Sequence, residues 1–263
     1  MLKGLYAAAS GMIANLNRQI AITHNVDNME TPGFKQVIIT MEDYINTTVV
    51  PPEELGNGPT MPAVLDNFKS NRLRAIGDLG LGVETRPEYV DFSQGDFMLT
   101  NQPLDLAIQG NGFFRVKTPD GERYTRDGRF VRDAGGTLVT VDGYQVLSSD
   151  GQPITLPDGD VEITTDGKIK VDTKDVATIG LAVFTEPETQ LVRDKPNLFS
   201  STGQPTGTEK GTIHQNALES ANINIAQLVT QMMSTARSYE ASQKLVTVQD
   251  SLLGKAISSL GKV

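Results

Sequence analysis

Between Gly211 and Gly254 the chain runs for 42 residues without a glycine or a proline. No other feature restricts the possible folds as strongly. Glycine weakens a helix and proline breaks it, so a stretch this long that excludes both reads as one long helix. The apolar residues agree. Val229, Met232, Ala236, Tyr239, Val246, Leu253, Ile257 and Leu260 share one register of three and four, with Gln243 and Asp250 as its polar breaks. The spacing predicts a helix from about Asn222 to Ser259.

The polar face of this segment is poor in charge. Five of residues 212–253 are charged, namely Glu219, Arg237, Glu240, Lys244 and Asp250, whereas a solvated helix face usually carries many Lys and Glu. In their place stand Asn222, Asn224, Gln227, Thr230, Gln231, Ser234, Ser238 and Ser242. Short neutral groups hydrogen-bond at close range without burying a charge. The surface therefore suits contact with other helices, either within the chain or from other subunits, and the residues alone leave both open.

A second heptad-like stripe opens the chain: Leu2, Leu5, Ala9, Met12, Leu16, Gln19, Thr23 and Val26, widened by Ile13 and Ile20. It covers roughly 25 residues, about 40 Å of helix. Pro32-Gly33 ends it, because proline disfavours helix before it and Pro-Gly sets up a turn. Lys3 followed by small and apolar residues gives a faint outline of a signal peptide. Ser10, Gly11 and Asn15 interrupt that outline and the periodicity runs past any cleavage point, so retention is expected. No run of about 18 apolar residues exists to span a membrane.

The middle of the chain has another character. Six Asp-Gly pairs, beginning at Asp120, Asp127, Asp142, Asp150, Asp158 and Asp166, alternate with short β-prone runs. Asp-Gly supplies positive φ in tight hairpins, so the spacing predicts an antiparallel meander. The apolar run Val176–Phe184 reads as a central strand. Residues 46–67, with Pro51, Pro52, Pro59, Pro62, Gly56 and Gly58, read as a loop or extended arm. Charge divides the same way. The net charge is −9; residues 1–30 balance to zero and residues 212–263 to +1, which leaves −10 on residues 31–211.

Composition excludes much chemistry. With no cysteine and two histidines, His24 and His214, there is no thiolate, disulfide or multi-His metal site within one chain. A pI near 4.8 argues against nucleic-acid binding. Gly80-Leu-Gly82 and Gly110-Asn-Gly112 lack the rest of a nucleotide fingerprint. The Asp-Gly series lacks the alternating carboxylates and closing Glu of an EF-hand. No general base is placed for a serine hydrolase, and with no Trp a glycosidase reading has no indole to stack on sugar rings. No catalytic residue, cofactor or metal is expected.

The expected fold class is α+β, with N- and C-terminal helices pairing as a coiled coil around an antiparallel β-rich central domain. The segments are 1–35 for the first helix, 36–75 for an arm or hairpin linker, 76–211 for the β domain and 212–263 for the second helix. The pairing and assembly seam is read as Leu2, Leu5, Met12, Leu16, Val229, Met232, Tyr239, Val246, Leu253 and Ile257.

Four ordered segments resemble a known family. They are Gly4-Leu-Tyr-Ala-Ala-Ala-Ser-Gly-Met12 running to Asn28-Met-Glu-Thr-Pro-Gly-Phe-Lys35; Asn101-Gln-Pro-Leu-Asp-Leu-Ala-Ile-Gln-Gly-Asn-Gly-Phe-Phe114; Tyr124-Thr-Arg-Asp-Gly-Arg-Phe130 with Leu138-Val-Thr-Val-Asp-Gly-Tyr144; and Gln215-Asn-Ala-Leu-Glu-Ser-Ala-Asn-Ile-Asn224 followed by Arg237-Ser-Tyr-Glu240. Together they resemble the bacterial flagellar hook–basal-body rod proteins, over essentially the whole chain. One departure stands at Thr23-His-Asn-Val-Asp-Asn28, where His24 and Asp27 replace small or amide residues. The resemblance implies a structural subunit, not an enzyme, that is exported without signal cleavage and polymerises helically to carry torque from motor to hook. Its implied partners are itself, other rod and hook subunits and ring proteins around the rod, with no nucleic acid and no membrane insertion. Its implied place is the basal body, crossing the periplasm or cell wall. Pro153-Ile-Thr-Leu-Pro157 and Leu252–Ile257 look more like the F-type branch, with the G-type distal rod branch and the hook protein as alternatives. A rival from another class is a secreted β-domain that binds or cleaves a wall polysaccharide.

Overall fold

Helix α1 spans Leu2–Asp27 and helix α2 spans Ile225–Leu260 in a computed structural model that describes residues 2–43, 46–49, 77–80, 82–86, 88–172, 174–207 and 210–260. Beyond Val49, the arm expected over 46–67 lies outside the described residues. Among the described residues, every strand pairing between the helices is antiparallel, so the class is α+β. The chain forms two compact units. One comprises Met1–Ala21, Ile39–Glu88 and Thr230–Val263; the other comprises Ile22–Ile38 and Tyr89–Val229. Each terminal helix contributes to both.

The second unit is built on an eight-stranded sheet. Its order is Phe130–Arg132, Leu138–Thr140, Gln145–Val146, Phe113–Thr118, Gly121–Thr125, Leu198–Ser201 and Leu191–Lys195, with Leu181–Ala182 also paired to Phe113–Thr118. Successive residues of a strand point to opposite faces. In Phe113–Thr118, Phe114 and Val116 enter a core with Leu106, Ile108, Phe130 and Leu138. Phe113 turns the other way, into a smaller cluster with Tyr124, Phe184 and Phe199. Both faces of this strand are therefore covered, which places it at the centre of the sheet.

Four of the Asp-Gly pairs make tight turns as expected: Gly121, Gly143, Gly151 and Gly167 all have positive φ. Asp127-Gly128 serves another purpose. A Cβ on Gly128 would run into the Leu106 carbonyl, and the bare backbone lets Gly128 O accept from Leu106 N at 3.0 Å. The run Val176–Phe184 differs from the single strand expected. It divides into Lys174–Thr178, in a three-stranded sheet with Lys168–Val171 and Val161–Ile163, and Leu181–Ala182 in the main sheet. The break falls at Gly180, whose N–H donates to Leu147 O and where a Cβ would approach Ser148 O to 2.6 Å.

In the first unit the strand pair Met41–Asp43 and Val83–Thr85 lies against α1. Ser10 Oγ accepts from Val83 N at 3.1 Å and Asn17 Nδ2 donates to Thr85 Oγ1 at 3.3 Å. The side chains that α1 buries in this unit are small, Ala8, Ala14 and Ala21.

Candidate functional site

Parts of the resembling segments, Asn28–Lys35, Asn101–Phe114, Tyr124–Phe130 and Gln215–Asn224, meet at one buried cluster in the second unit. Helix α1 ends at Asp27, and Asn28 Nδ2 caps it by donating to His24 O at 2.8 Å. The turn then passes through Gly33, with φ +69 and no room for a Cβ against the Arg126 backbone. Its N–H donates to Glu219 O at 2.7 Å. Phe34 and Lys35 follow, both fully buried.

Lys35 Nζ donates to Glu219 Oε1 at 2.6 Å and to Ser93 O at 2.7 Å. The other carboxylate oxygen accepts from Arg126 NH1 at 3.1 Å, and Gly95 N adds a bond to Oε1 at 3.0 Å. Arg126 also donates to Ile108 O and Gly110 O. Burial lowers the Lys35 and Arg126 pKa values, and the Glu219 carboxylate opposes the shift at both. Neighbouring amides extend the network. Asn25 exchanges two hydrogen bonds with the backbone of Val37, at 2.7 and 2.9 Å. Asn222 accepts from Gln36 N and donates to Asp91 O and Ser93 O.

These contacts resolve the departure noted at residues 23–28. Asn25 and Asn28 keep their backbone bonds. His24 packs edge-on against Phe34 with ring centroids 5.5 Å apart, and Asp27 is exposed. Neither substitution disturbs the cluster. The sequence reading did not join Lys35, Arg126 and Glu219. Their only visible signal was that all three lie inside the resembling segments.

The helices themselves present a second surface. In the first unit, Gly4 faces Gln249, where a Cβ would collide, and a Cβ on Gly11 would lie 3.7 Å from Ser242 Oγ. Asn15, Leu16 and Gln19 line a groove of about 410 Å3 with Thr235, Ala236 and Tyr239. The covered positions of α2 are Leu228, Gln231, Thr235, Tyr239, Ser242, Val246, Gln249, Leu253 and Ala256.

Of the seam residues expected, Leu5, Met12, Tyr239, Val246 and Leu253 are partly covered. Leu16, Val229, Met232 and Ile257 are exposed, and nothing is described of the Leu2 side chain. The covered stripe holds several small or amide residues where the hydrophobic reading chose larger apolar ones. The missing side chains of Gly4 and Gly11 leave space that Gln249 and Ser242 fill.

Large apolar side chains therefore remain outside. Tyr6, Ile13, Leu16 and Ile20 form an exposed row on α1, with Ile13 58 % and Ile20 59 % accessible. On α2 the exposed apolar residues include Ile225, Val229, Met232 and Met233, then Leu245, Val248 and Leu252. Among the described residues, no helix is long and apolar enough to cross a membrane, and no group of three or more His, Asp or Glu could hold a metal ion.

Three family patterns match the chain. They are the flagella basal body rod protein over residues 5–35, the flagellar hook protein FlgE/F/G D1 domain over 107–171, and the flagellar basal body rod FlgEFG protein C-terminal region over 214–259. Relatives match end to end. Flagellar basal-body rod protein FlgG of Bacillus subtilis is 30 % identical over 273 residues, covering 98 % of this chain and 99 % of its own. FlgG of Borreliella burgdorferi is 32 % identical over 272 residues, covering 97 % and 98 %. Flagellar basal-body rod protein FlgF of Caulobacter vibrioides is 30 % identical over 267 residues, covering all of both chains.

Proposed function

Because the chain belongs to the flagellar basal-body rod protein family, we propose that it is an F-type rod subunit that polymerises helically and transmits torque from motor to hook. The chain is a structural protein of the flagellar basal body, not an enzyme. Membership also implies assembly with other rod and hook subunits. Ring proteins around the rod are further partners in this reading.

One observation carries the polymer reading: both terminal helices leave rows of large apolar side chains exposed on surfaces poor in charge. Single exposed apolar residues are ordinary, but rows at helical spacing mark a contact surface. In this reading α1 and α2 pair as a coiled coil through Leu5, Met12, Tyr239, Val246 and Leu253. Leu2, Leu16, Val229, Met232 and Ile257 take part in the seam between subunits. The F-type assignment rests on Pro153-Ile-Thr-Leu-Pro157 and on Leu252–Ile257. Relatives of the F and G types are equally similar in identity, so it needs its own test. Labelling the subunit in purified hook–basal bodies decides this. A label away from the hook supports the F-type position, and one abutting the hook indicates the distal G-type.

The assembly reading is tested by recovering rods from cells that carry Leu16→Ala or Leu253→Ala. Loss of rods and of swimming supports the seam. Unchanged assembly and motility in both variants contradicts it.

A further inference from the structure

Within the first unit, helix α2 has an apolar ridge on one flank of its covered stripe and a groove on the other. Leu245, Val248 and Leu252, spaced by three and four, form the ridge, and each is more than half exposed. On the opposite flank Ala236, Glu240 and Gln243 line the groove of about 410 Å3, together with Tyr239 and with Leu16 of α1. At about 100° per residue, ridge and groove lie roughly 100° to either side of the covered stripe that runs through Thr235, Ser242, Val246 and Leu253. A chain therefore cannot fill its own groove with its own ridge.

The charges beside the two surfaces are opposite. Among the described residues, Glu240 is the one charged side chain that lines the groove, and Asp250 follows on the same flank, seven residues beyond Gln243. Lys244 stands one turn before Val248, and Lys255 one turn after Leu252, at the edge of the ridge. All four are exposed, as is Arg237, one turn before Glu240. None of the five is within ion-pair distance of another described residue. Between parallel copies, an offset of four to five residues, about 6–8 Å of helix, sets Lys244 against Glu240 and Lys255 against Asp250. The same offset brings Leu245 and Val248 level with Glu240 and Gln243 at the groove. One register thus joins two charge pairs and covers the exposed ridge.

We propose that the ridge of one copy docks in the α1–α2 groove of a second copy, with Lys244 of the first meeting Glu240 of the next. Apolar burial supplies the attraction and the charge pairs fix the register. Ridge and groove are different surfaces, so the contact is heterologous and leaves a free ridge at one end and a free groove at the other. The contact rests on the self-association proposed above and specifies which surfaces meet.

The test uses the full chain in cells. Because the chain has no cysteine, Gln243→Cys and Val248→Cys each introduce a single thiol, one in the groove and one on the ridge. Hook–basal bodies are purified, oxidised with copper phenanthroline and blotted for the covalent dimer. Cells that express both variants should give about tenfold more dimer than cells that express either alone, since a disulfide needs the two Cα atoms within about 7 Å. Glu240→Lys and Lys244→Glu should each lower the number of rods roughly tenfold, because like charges then face each other across the contact. The double variant exchanges the two charges and should return to within about twofold of wild type. Monomer melting temperatures of the charge variants should match wild type, which separates lost docking from lost folding.

Equal dimer from either cysteine variant alone would overturn the pairing of unlike surfaces. Rods that contain both variants but give no dimer, or a double charge variant as defective as the singles, would overturn the groove as the docking site. A single copy of the wild-type chain per hook–basal body, counted on the same blots, would overturn the self-association reading and the contact together.

Discussion

Replacing Glu219 by glutamine removes the carboxylate that Lys35 and Arg126 share and leaves two buried cations facing a neutral amide. Breaking a buried pair from one side costs about 3–5 kcal/mol, because the remaining charge stays buried without compensation. That is a large part of the 5–15 kcal/mol that typically holds a domain together. For a unit of this size it corresponds to a fall of roughly 6–20 °C in melting temperature. Lys35→Met behaves differently. Glu219 keeps Arg126 and Gly95 N, Ser93 O keeps a donor in Asn222 Nδ2, and the surplus cation is gone. The loss of one charged hydrogen bond is offset by the desolvation no longer required, for a net effect within about 1.5 kcal/mol. Guanidinium unfolding of the two full-length variants, followed by circular dichroism, measures both. Glu219→Gln within 1 kcal/mol of wild type, or equal to Lys35→Met, would refute the view that one carboxylate neutralises this cluster.

Trypsin should cut first at Arg237, Lys244 and Lys255, which are exposed, and at Arg18 in α1. Lys35 is fully buried and should survive until the second unit unfolds. Mass spectrometry should then show a resistant fragment starting at residue 19, and an early fragment starting at residue 36 would contradict the buried turn. Burial pushes the Tyr124 pKa up to about 12. The folded chain therefore holds this proton where the unfolded chain loses it, and stability should fall as pH rises from about 10 to 12; Tyr124→Phe should flatten that part of an alkaline melting series. Lys35 has the opposite sign. Its pKa is lowered on folding, so its contribution should become more favourable as pH rises from the lowered value towards 10.5, and wild type should gain on Lys35→Met over that window. Leu16 is half exposed in the monomer, at 49 %, so Leu16→Ala should change its unfolding free energy by less than about 0.5 kcal/mol while assembly falls.

Local patterns were legible in the sequence; the contacts that join distant segments were not. The period of 3.6 located both helices to within a few residues. At the start of α2 the offset has a clear cause. Asn224 caps the helix by accepting from Gln227 N at 3.1 Å, while Asn222 is drawn away to Gln36, Asp91 and Ser93. Asp-Gly marked the hairpins because the glycine that closes each turn takes positive φ. The same dipeptide at residues 127–128 served a close backbone approach instead, which no local rule separates from a turn. On α2, Val229, Met232 and Ile257 are exposed in the single chain, while Gln249 and Ser242 stand beside Gly4 and Gly11, contacts that hydrophobic spacing alone does not mark. Lys35 and Glu219 are 184 positions apart, and no periodicity links them. A buried ion pair between such positions can be found only once the backbone brings them together.

The central claim is that the exposed apolar faces of α1 and α2 become buried between subunits of the rod. Cysteine accessibility at Met232 tests it most directly, since the chain has no native cysteine and Met232→Cys introduces a single label. Maleimide labelling rates are compared between dilute monomer and purified hook–basal bodies. The account predicts rapid labelling of the monomer and at least a tenfold slower rate in the assembled rod. Equal rates in both states would contradict it.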